Sequence, residues 1–225
     1  RLMAERQLGG LAFLRNLRNM AEAGIEKATV AAYADKADLS RVLPFRFIAA
    51  ARVVPQWEDM IEPLFLRAAE NQPKLPGKTA LLVDVSGSMD YRISTKSEMR
   101  RLDAACGVAV IAREICEQVE IVTFSERVIR IPPRRGFALR DAIVQSQIHS
   151  GTYLGNAVHA VNKEVNYDRL IVITDEQSAD TTPAPKGRGY VINVGVYKNG
   201  VGYGAWTRIE GWSEAVIDYI REIEQ

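Results

Sequence analysis

The sequence predicts a doubly wound α/β domain, a mostly parallel sheet with helices on both faces, preceded by α-helical repeats. Three observations predict it. From Thr79 onward, short apolar runs alternate with stretches of helical periodicity, which is the pattern of a sheet covered on both sides. Before that point no β-run is visible, and apolar residues recur at helical spacing. Between the two textures lies NQPKLPGK, residues 71–78, whose two Pro and one Gly interrupt either kind of regular structure. The reading divides the chain into a helical extension over 1–72, a linker at 73–78 and the α/β domain over 79–225.

In the helical extension, Leu8, Leu11, Leu14, Leu17 and Met20 make one apolar stripe, and Gly24 ends that helix. Thr29 to Ala37 suits a second, short helix. A third segment opens at Asp38, with Pro44 interrupting or starting it, and Phe45, Ile48, Ala49 and Val53 continue a buried face. Trp57 to Glu70 predicts another helix, with Ile61, Leu64, Phe65 and Ala68 inward and Pro63 kinking it or delaying its start. The stretch reads as stacked helical hairpins.

In the α/β domain, strands are predicted over 79–84, 119–124, 127–131, 169–174, 189–196 and 206–210. Helices are predicted over 97–118, 137–147, 152–165 and 213–224. Only Ser125-Glu126 separates the second strand from the third, so that pair is expected to be an antiparallel hairpin at the sheet edge. Ala104 to Ala112 is nearly all apolar, as a helix lying face-down on a sheet should be.

The chemistry centres on LLVDVSGSMD, residues 81–90. An apolar strand ends in Asp84, and Ser86 and Ser88 follow in a D-x-S-x-S turn. Ser150-Gly151-Thr152 adds a hydroxyl at the start of a helix, and Asp175 ends a second apolar strand. In such sheets ligands sit at the carboxyl ends of strands, where the winding reverses. Asp84, Ser86, Ser88, Thr152 and Asp175 are all-oxygen donors, the kind that hard divalent ions such as Mg2+ prefer. Two carboxylates and three hydroxyls leave coordination incomplete, so waters and one acidic group from a partner are expected to finish it. Each piece alone has an ordinary structural reading, as a turn, a helix cap or a strand end.

Catalytic readings are weaker. His149 lies three residues before Thr152, and a triad from Ser86 or Ser88 is conceivable, but no G-x-S-x-G elbow exists. His149 reads as a polar loop residue and His159 as a helix-surface residue. No P-loop is present, and Gly200, Gly202 and Gly204 read as a turn. The chain is expected not to be an enzyme.

Composition excludes some partners. The net charge is +1, with 47% apolar and 25% charged residues, so no global field points to nucleic acid or to a membrane, and DNA and membranes are not expected partners. Residues 1–78 carry 12 basic and 9 acidic side chains, net +3, and the remainder is net −2. Arg15, Arg18, Arg41, Arg46 and Arg52 recur in the helical part. They are either a solvated face or phosphate contacts to RNA. Cys106 and Cys116 are expected to be reduced core thiols of an intracellular protein. No apolar run approaches the roughly 20 residues of a spanning helix. The chain opens on Arg1 in mid-helix pattern and reads as part of something longer.

The motif set in 79–225 resembles the von Willebrand factor A domain, whose metal-ion-dependent adhesion site uses D-x-S-x-S, a Thr and an Asp in this order. LLVDVSGSM, VTFSE, GTYLGNAV, VITDEQS and EGWSEAVIDYIREI further resemble pieces of the Ro autoantigen family, the TROVE-module proteins. LAFLRNLRNM and VLPFRFIAA are similar to the last helical repeats before the A domain in that family. The resemblance implies a cytoplasmic ribonucleoprotein component. It implies helical repeats in a ring closed by the A domain, with small noncoding Y RNAs bound outside and ends of misfolded RNAs threaded through the hole. In bacterial relatives an exoribonuclease is tethered through the Y RNA. Most of the family's helical repeats are absent from these 225 residues, so they do not build the complete ring. The alternative is a protein-interaction module that binds an acidic partner through the metal, without RNA.

Overall fold

The computed structural model describes residues 8–95, 99–195, 204–212 and 215–225. The chain divides into two compact units, residues 1–73 and 74–225. The first is helical: α1 (Gly10–Arg15), α2 (Leu17–Glu22), α3 (Lys27–Ala34), α4 (Pro44–Val53) and α5 (Glu58–Glu70). The single helix expected up to Gly24 is two. Asn16 breaks it at φ −99° and ψ 1°, and its side chain donates 2.8 Å to the Ala12 carbonyl, an alternative to the helical ladder. Phe13, Leu14, Leu17 and Met20 are buried, whereas Leu11 is exposed. Gly24 closes α2 in the left-handed region at φ +70°, and the Ile25 N–H returns 3.0 Å to the Met20 carbonyl. Such a reversal costs glycine no Cβ clash. Pro44 starts α4, where a missing N–H is harmless. Pro63 stands inside α5, and Ile61, Leu64, Phe65 and Ala68 are buried as the periodicity predicts.

The second unit is a six-stranded sheet in the order β3-β2-β1-β4-β5-β6. The strands are β1 (Leu75–Asp84), β2 (Cys116–Phe124), β3 (Val128–Arg130), β4 (Arg169–Thr174), β5 (Arg188–Asn193) and β6 (Trp206–Glu210). All neighbours run parallel except β2 and β3, whose hairpin lies at the edge. The helices are α6 (Arg101–Ile115), α7 (Gly136–Val144), α8 (Leu154–Glu164) and α9 (Ala215–Ile223). Residues 97, 98, 196, 200, 202, 213 and 214 of the expected elements lie outside the described residues.

Two expectations are corrected. Most of the segment 73–78 is strand rather than linker. Gly77 takes φ +82° and the β1–β2 register shifts between Leu75 and Lys78, so an irregular strand absorbs the Pro and Gly. Cys116 opens β2 rather than ending a helix, because α6 stops at Ile115. Both cysteines are free and buried.

Alternation along the strands sorts the core. Ala80, Leu82, Val122, Phe124, Leu170, Val172 and Val191 cluster with Leu154, Ala157, Val158 and Val161 of α8. The intervening residues Leu81, Val83, Ile171 and Ile173 are fully buried on the opposite face, and α6 packs against β1, β2 and β4. The winding reverses between β1 and β4, the central pair, and both candidate carboxylates lie at the carboxyl ends of those two strands. Among the described residues no helix is long and apolar enough to cross a membrane.

Candidate metal centre

Three loops meet above the β1–β4 junction. After β1, the Ser86 N–H donates 2.8 Å to Asp84 Oδ1 and closes a tight turn. A 3-10 turn follows at Gly87–Asp90. The Gly87 N–H donates 2.9 Å to the Ser150 carbonyl, which joins this loop to the one before α8. A Cβ on Gly87 would lie 3.6 Å from the carbonyl oxygens of His149 and Ser150. The third loop follows β4: the Ala179 N–H donates 2.9 Å to the Thr152 carbonyl. Ser88 and Thr152 line the open cup that results, with Ser150, Gln177, Ser178 and Ala179. Asp84, Ser86 and Asp175 are buried.

Two residues that build the site were not singled out as site residues from the sequence. Ser125, at the end of β2, donates 2.8 Å to the Gly151 carbonyl and accepts 3.0 Å from the Ser150 N–H. Asp180 accepts from the N–H groups of Gly155 and Asn156 at 2.7 and 2.8 Å, capping α8 from another loop. Burial alone would raise the Asp180 carboxyl, but these donors hold it below its ordinary value. Both are partners brought in by tertiary structure, 24 to 26 positions away. Thr152 does not cap α8; Tyr153 is the residue at that position.

Asp84 is fully buried, and its hydrogen-bond donors are neutral. Thr174 Oγ1 donates 2.6 Å to Oδ2, and the Ser86 N–H serves Oδ1. Burial pushes the carboxyl up to about 6 against those bonds, and Asp175 raises it further. Asp175 differs. Its Oδ2 accepts 2.7 Å from Arg101 Nη1 in a buried ion pair, and Oδ1 accepts from the Gln177 N–H at 3.3 Å. Arg101 Nη1 also donates 3.2 Å to the Ser88 carbonyl.

The donor set fits a hard divalent ion. Ser86 Oγ and Ser88 Oγ stand 3.3 Å apart, and adjacent octahedral ligands at about 2.1 Å from magnesium stand about 3 Å apart. Asp84 is a buried carboxylate whose hydrogen-bond donors carry no charge, which a cation would compensate. Among the described residues no three His, Cys, Asp or Glu side chains form a metal cluster, so hydroxyls and waters would have to complete the coordination of an ion held here.

His149 is turned to other work. Its Nδ1 pairs with Asp90 Oδ2 at 3.2 Å and its Nε2 with the Val144 carbonyl at 3.0 Å, so both ring nitrogens are engaged. His159 is exposed on α8. Arg15, Arg18, Arg41, Arg46 and Arg52 are exposed on the helical unit. They do not share one helix face: Arg15 and Arg18 sit on different helices, Arg41 sits in a turn, and Arg46 and Arg52 on α4 are about 120° apart.

The family described as the Ro60 vWA domain matches residues 78–187. The Ro (RSR) protein of Deinococcus radiodurans is similar in structure, with TM-score 0.69 at 20% identity, over 97% of this chain and 53% of that one. This chain thus spans about half the length of that Ro protein. The conserved hypothetical protein BatB of Bacteroides thetaiotaomicron matches at TM-score 0.43 and 14% identity, over 64% of this chain and 95% of that one. No curated protein matches. A Ro60-type sequence match lies over the domain that carries the five oxygen donors, and a Ro protein shares the fold of nearly the whole chain. The α/β unit is therefore a von Willebrand factor A-like domain, similar over residues 78–187 to that of the Ro60 family.

Proposed function

We propose that this chain is part of a Ro-like ribonucleoprotein that binds small noncoding, Y-like or misfolded RNA, with an A domain that holds a divalent metal, Mg2+ foremost. The observation that carries the reading is the convergence of Asp84, Ser86, Ser88, Thr152 and Asp175 at the β1–β4 switch point. Asp84, Ser86, Ser88, Thr152 and Asp175 would hold the ion. When bound, the ion offers one position to a carboxylate or phosphate oxygen of a partner. The exposed arginines of the helical unit, Arg15, Arg18, Arg41, Arg46 and Arg52, supply phosphate contacts. The same reading makes the chain a cytoplasmic non-enzyme and places an exoribonuclease among its indirect partners.

The test is a gel-shift titration with a Y-like stem-loop RNA at low and moderate salt, with and without Mg2+. Micromolar or tighter binding that weakens with salt and with Arg15→Ala, Arg18→Ala or Arg46→Ala supports the reading. Absence of binding in every condition overturns its RNA half.

A second reading is a protein-interaction module without RNA. Tyr91, Ile148 and Tyr153, on the loops around the cup, are 64%, 85% and 43% exposed. Such an apolar rim suits a protein partner that offers an acidic side chain to the metal. Release of a protein partner by EDTA, with no RNA present, distinguishes it.

A further inference from the structure

Resting on that metal reading, we propose that Arg101 is a built-in competitor of the divalent ion, a guanidinium that occupies Asp175 until the metal displaces it. Arg101 is the first residue of α6, and its side chain is only 7% exposed. One nitrogen, Nη1, bridges Asp175 Oδ2 at 2.7 Å and the Ser88 carbonyl at 3.2 Å. It thereby links the loops after β4 and β1, the two that supply most of the oxygen donors. The guanidinium carbon lies 5.6 Å from the centroid of the Tyr91 ring, and the Arg101 N–H donates 3.0 Å to the Tyr91 carbonyl. Side chain and backbone are therefore both anchored to the loop that carries the serines.

A guanidinium stays protonated at any physiological pH. It therefore places a permanent positive charge against one proposed ligand. A dication must approach that charge and share or take its carboxylate. Both effects weaken metal binding, and the second makes binding break the Arg101–Asp175 pair. Asp84 stands apart from this arrangement, since its hydrogen bonds come from neutral groups. The site thus has one carboxylate ready for the ion and one already engaged. Release of the guanidinium would free the start of α6 from Asp175, so metal occupancy is communicated to that helix.

The experiment is calorimetric titration of the full chain with Mg2+ and with Mn2+, for wild type, Arg101→Gln, Arg101→Met and Arg101→Lys. The two neutral variants are expected to bind at least about tenfold more tightly than wild type, while Arg101→Lys, which keeps the charge, stays close to wild type. The neutral variants should also melt lower than wild type in EDTA and gain more from Mg2+. Because a variant that loses a buried ion-pair partner can fail to fold, the wild-type protein is followed by NMR as well. The Arg101 guanidinium signals protected by Asp175 should lose protection as Mg2+ is added. Neutral variants that bind metal no more tightly than wild type, or guanidinium signals unmoved in the metal-loaded protein, overturn the competitor role and leave the metal site standing. No binding by wild type or by any variant overturns the metal site and the competitor together.

Discussion

Thr174, the last residue of β4, donates its hydroxyl to Asp84, the last residue of β1, across 2.6 Å. The strands are in register up to Val83 and Ile173, so this bond is the next rung of the ladder, made by side chains. The same Thr174 oxygen accepts the Glu176 N–H at 3.1 Å. Glu176 needs that support, since it stands in the left-handed region at φ 62°. Thr174→Val should cost about 1–3 kcal/mol, because it leaves two buried groups short of a partner. Thr174→Ser should keep most of the stability. Urea unfolding in EDTA checks this, and identical midpoints for Val and Ser would remove Thr174 from the argument.

If Asp84 is a metal ligand, as proposed, its contribution to stability should change sign between EDTA and Mg2+. Its folded carboxyl is raised by burial to about 6 from an ordinary 3.8. The native state therefore binds the extra proton, and this group's contribution to stability is full below pH 3.8 and lost as pH rises through about 6. Above that pH, in EDTA, the carboxylate is a cost. Asp84→Asn should then be at least as stable as wild type, by up to about 2 kcal/mol, yet it should lose the Mg2+-dependent rise in melting temperature. Asp84→Ala should lose that rise too. Thermal melts at pH 8 with EDTA or Mg2+ measure both effects, and an unchanged Mg2+ response in either variant contradicts the ligand assignment.

Much of this was legible in the sequence because short-range chemistry specifies it. The alternation of apolar runs and helical periods gave the strand set, and β4 and β6 fall within their expected ranges. D-x-S-x-S specifies its own turn, since Ser86 bonds back to Asp84 two residues away. Boundaries were harder where one residue type serves two structures. The apolar run of α6 continues into β2, so the end of the helix at Ile115 has no marker in composition. The linker was misread because Pro and Gly also occur in an irregular edge of a strand. Arg101 was illegible for a different reason. Its partner is 74 positions away, and nothing local distinguishes it from the adjacent Arg100.

A second buried pair, at the opposite end of the sheet, gives a pH prediction independent of metal. Glu224 accepts from Arg169 Nε at 2.9 and 3.0 Å and from the Tyr190 hydroxyl at 2.9 Å, and it pairs with Arg188 Nη1 at 3.1 Å. Burial raises its carboxyl, but Arg169 and Tyr190 outweigh burial and hold it below its ordinary 4.5. Its stabilising contribution is present above pH 4.5 and is lost as pH falls through the lowered folded value. Glu224→Gln should cost about 3 kcal/mol at neutral pH by leaving Arg169 buried without a countercharge. The gap from wild type should narrow on acidification below pH 4.5. Melts across that range test it, and a gap that does not depend on pH would show the carboxyl to be unlinked to folding.

Gly195 offers a probe of Asp175 that leaves every proposed ligand intact. The loop after β5 presses against the loop after β4, and a Cβ on Gly195 would stand 2.8 Å from Asp175 Cβ and 3.3 Å from its Cα. The first distance is shorter than carbon atoms tolerate. The Gly195 N–H is meanwhile held by a 2.8 Å bond to Asn193 Oδ1, which resists displacement of Gly195 itself. Gly195→Ala should therefore push Asp175 and cost about 1–3 kcal/mol through overpacking. Because Asp175 is shared by Arg101 and the proposed ion, the displacement should also change Mg2+ affinity, whereas Gly9→Ala, with nothing within 4 Å of its Cβ, should not. Paired melts and Mg2+ titrations of the two variants decide the point. A Gly195→Ala protein that loses stability but keeps its Mg2+ affinity would mean that Asp175 can move without consequence for the ion, and the metal would then be held by the Asp84 side alone.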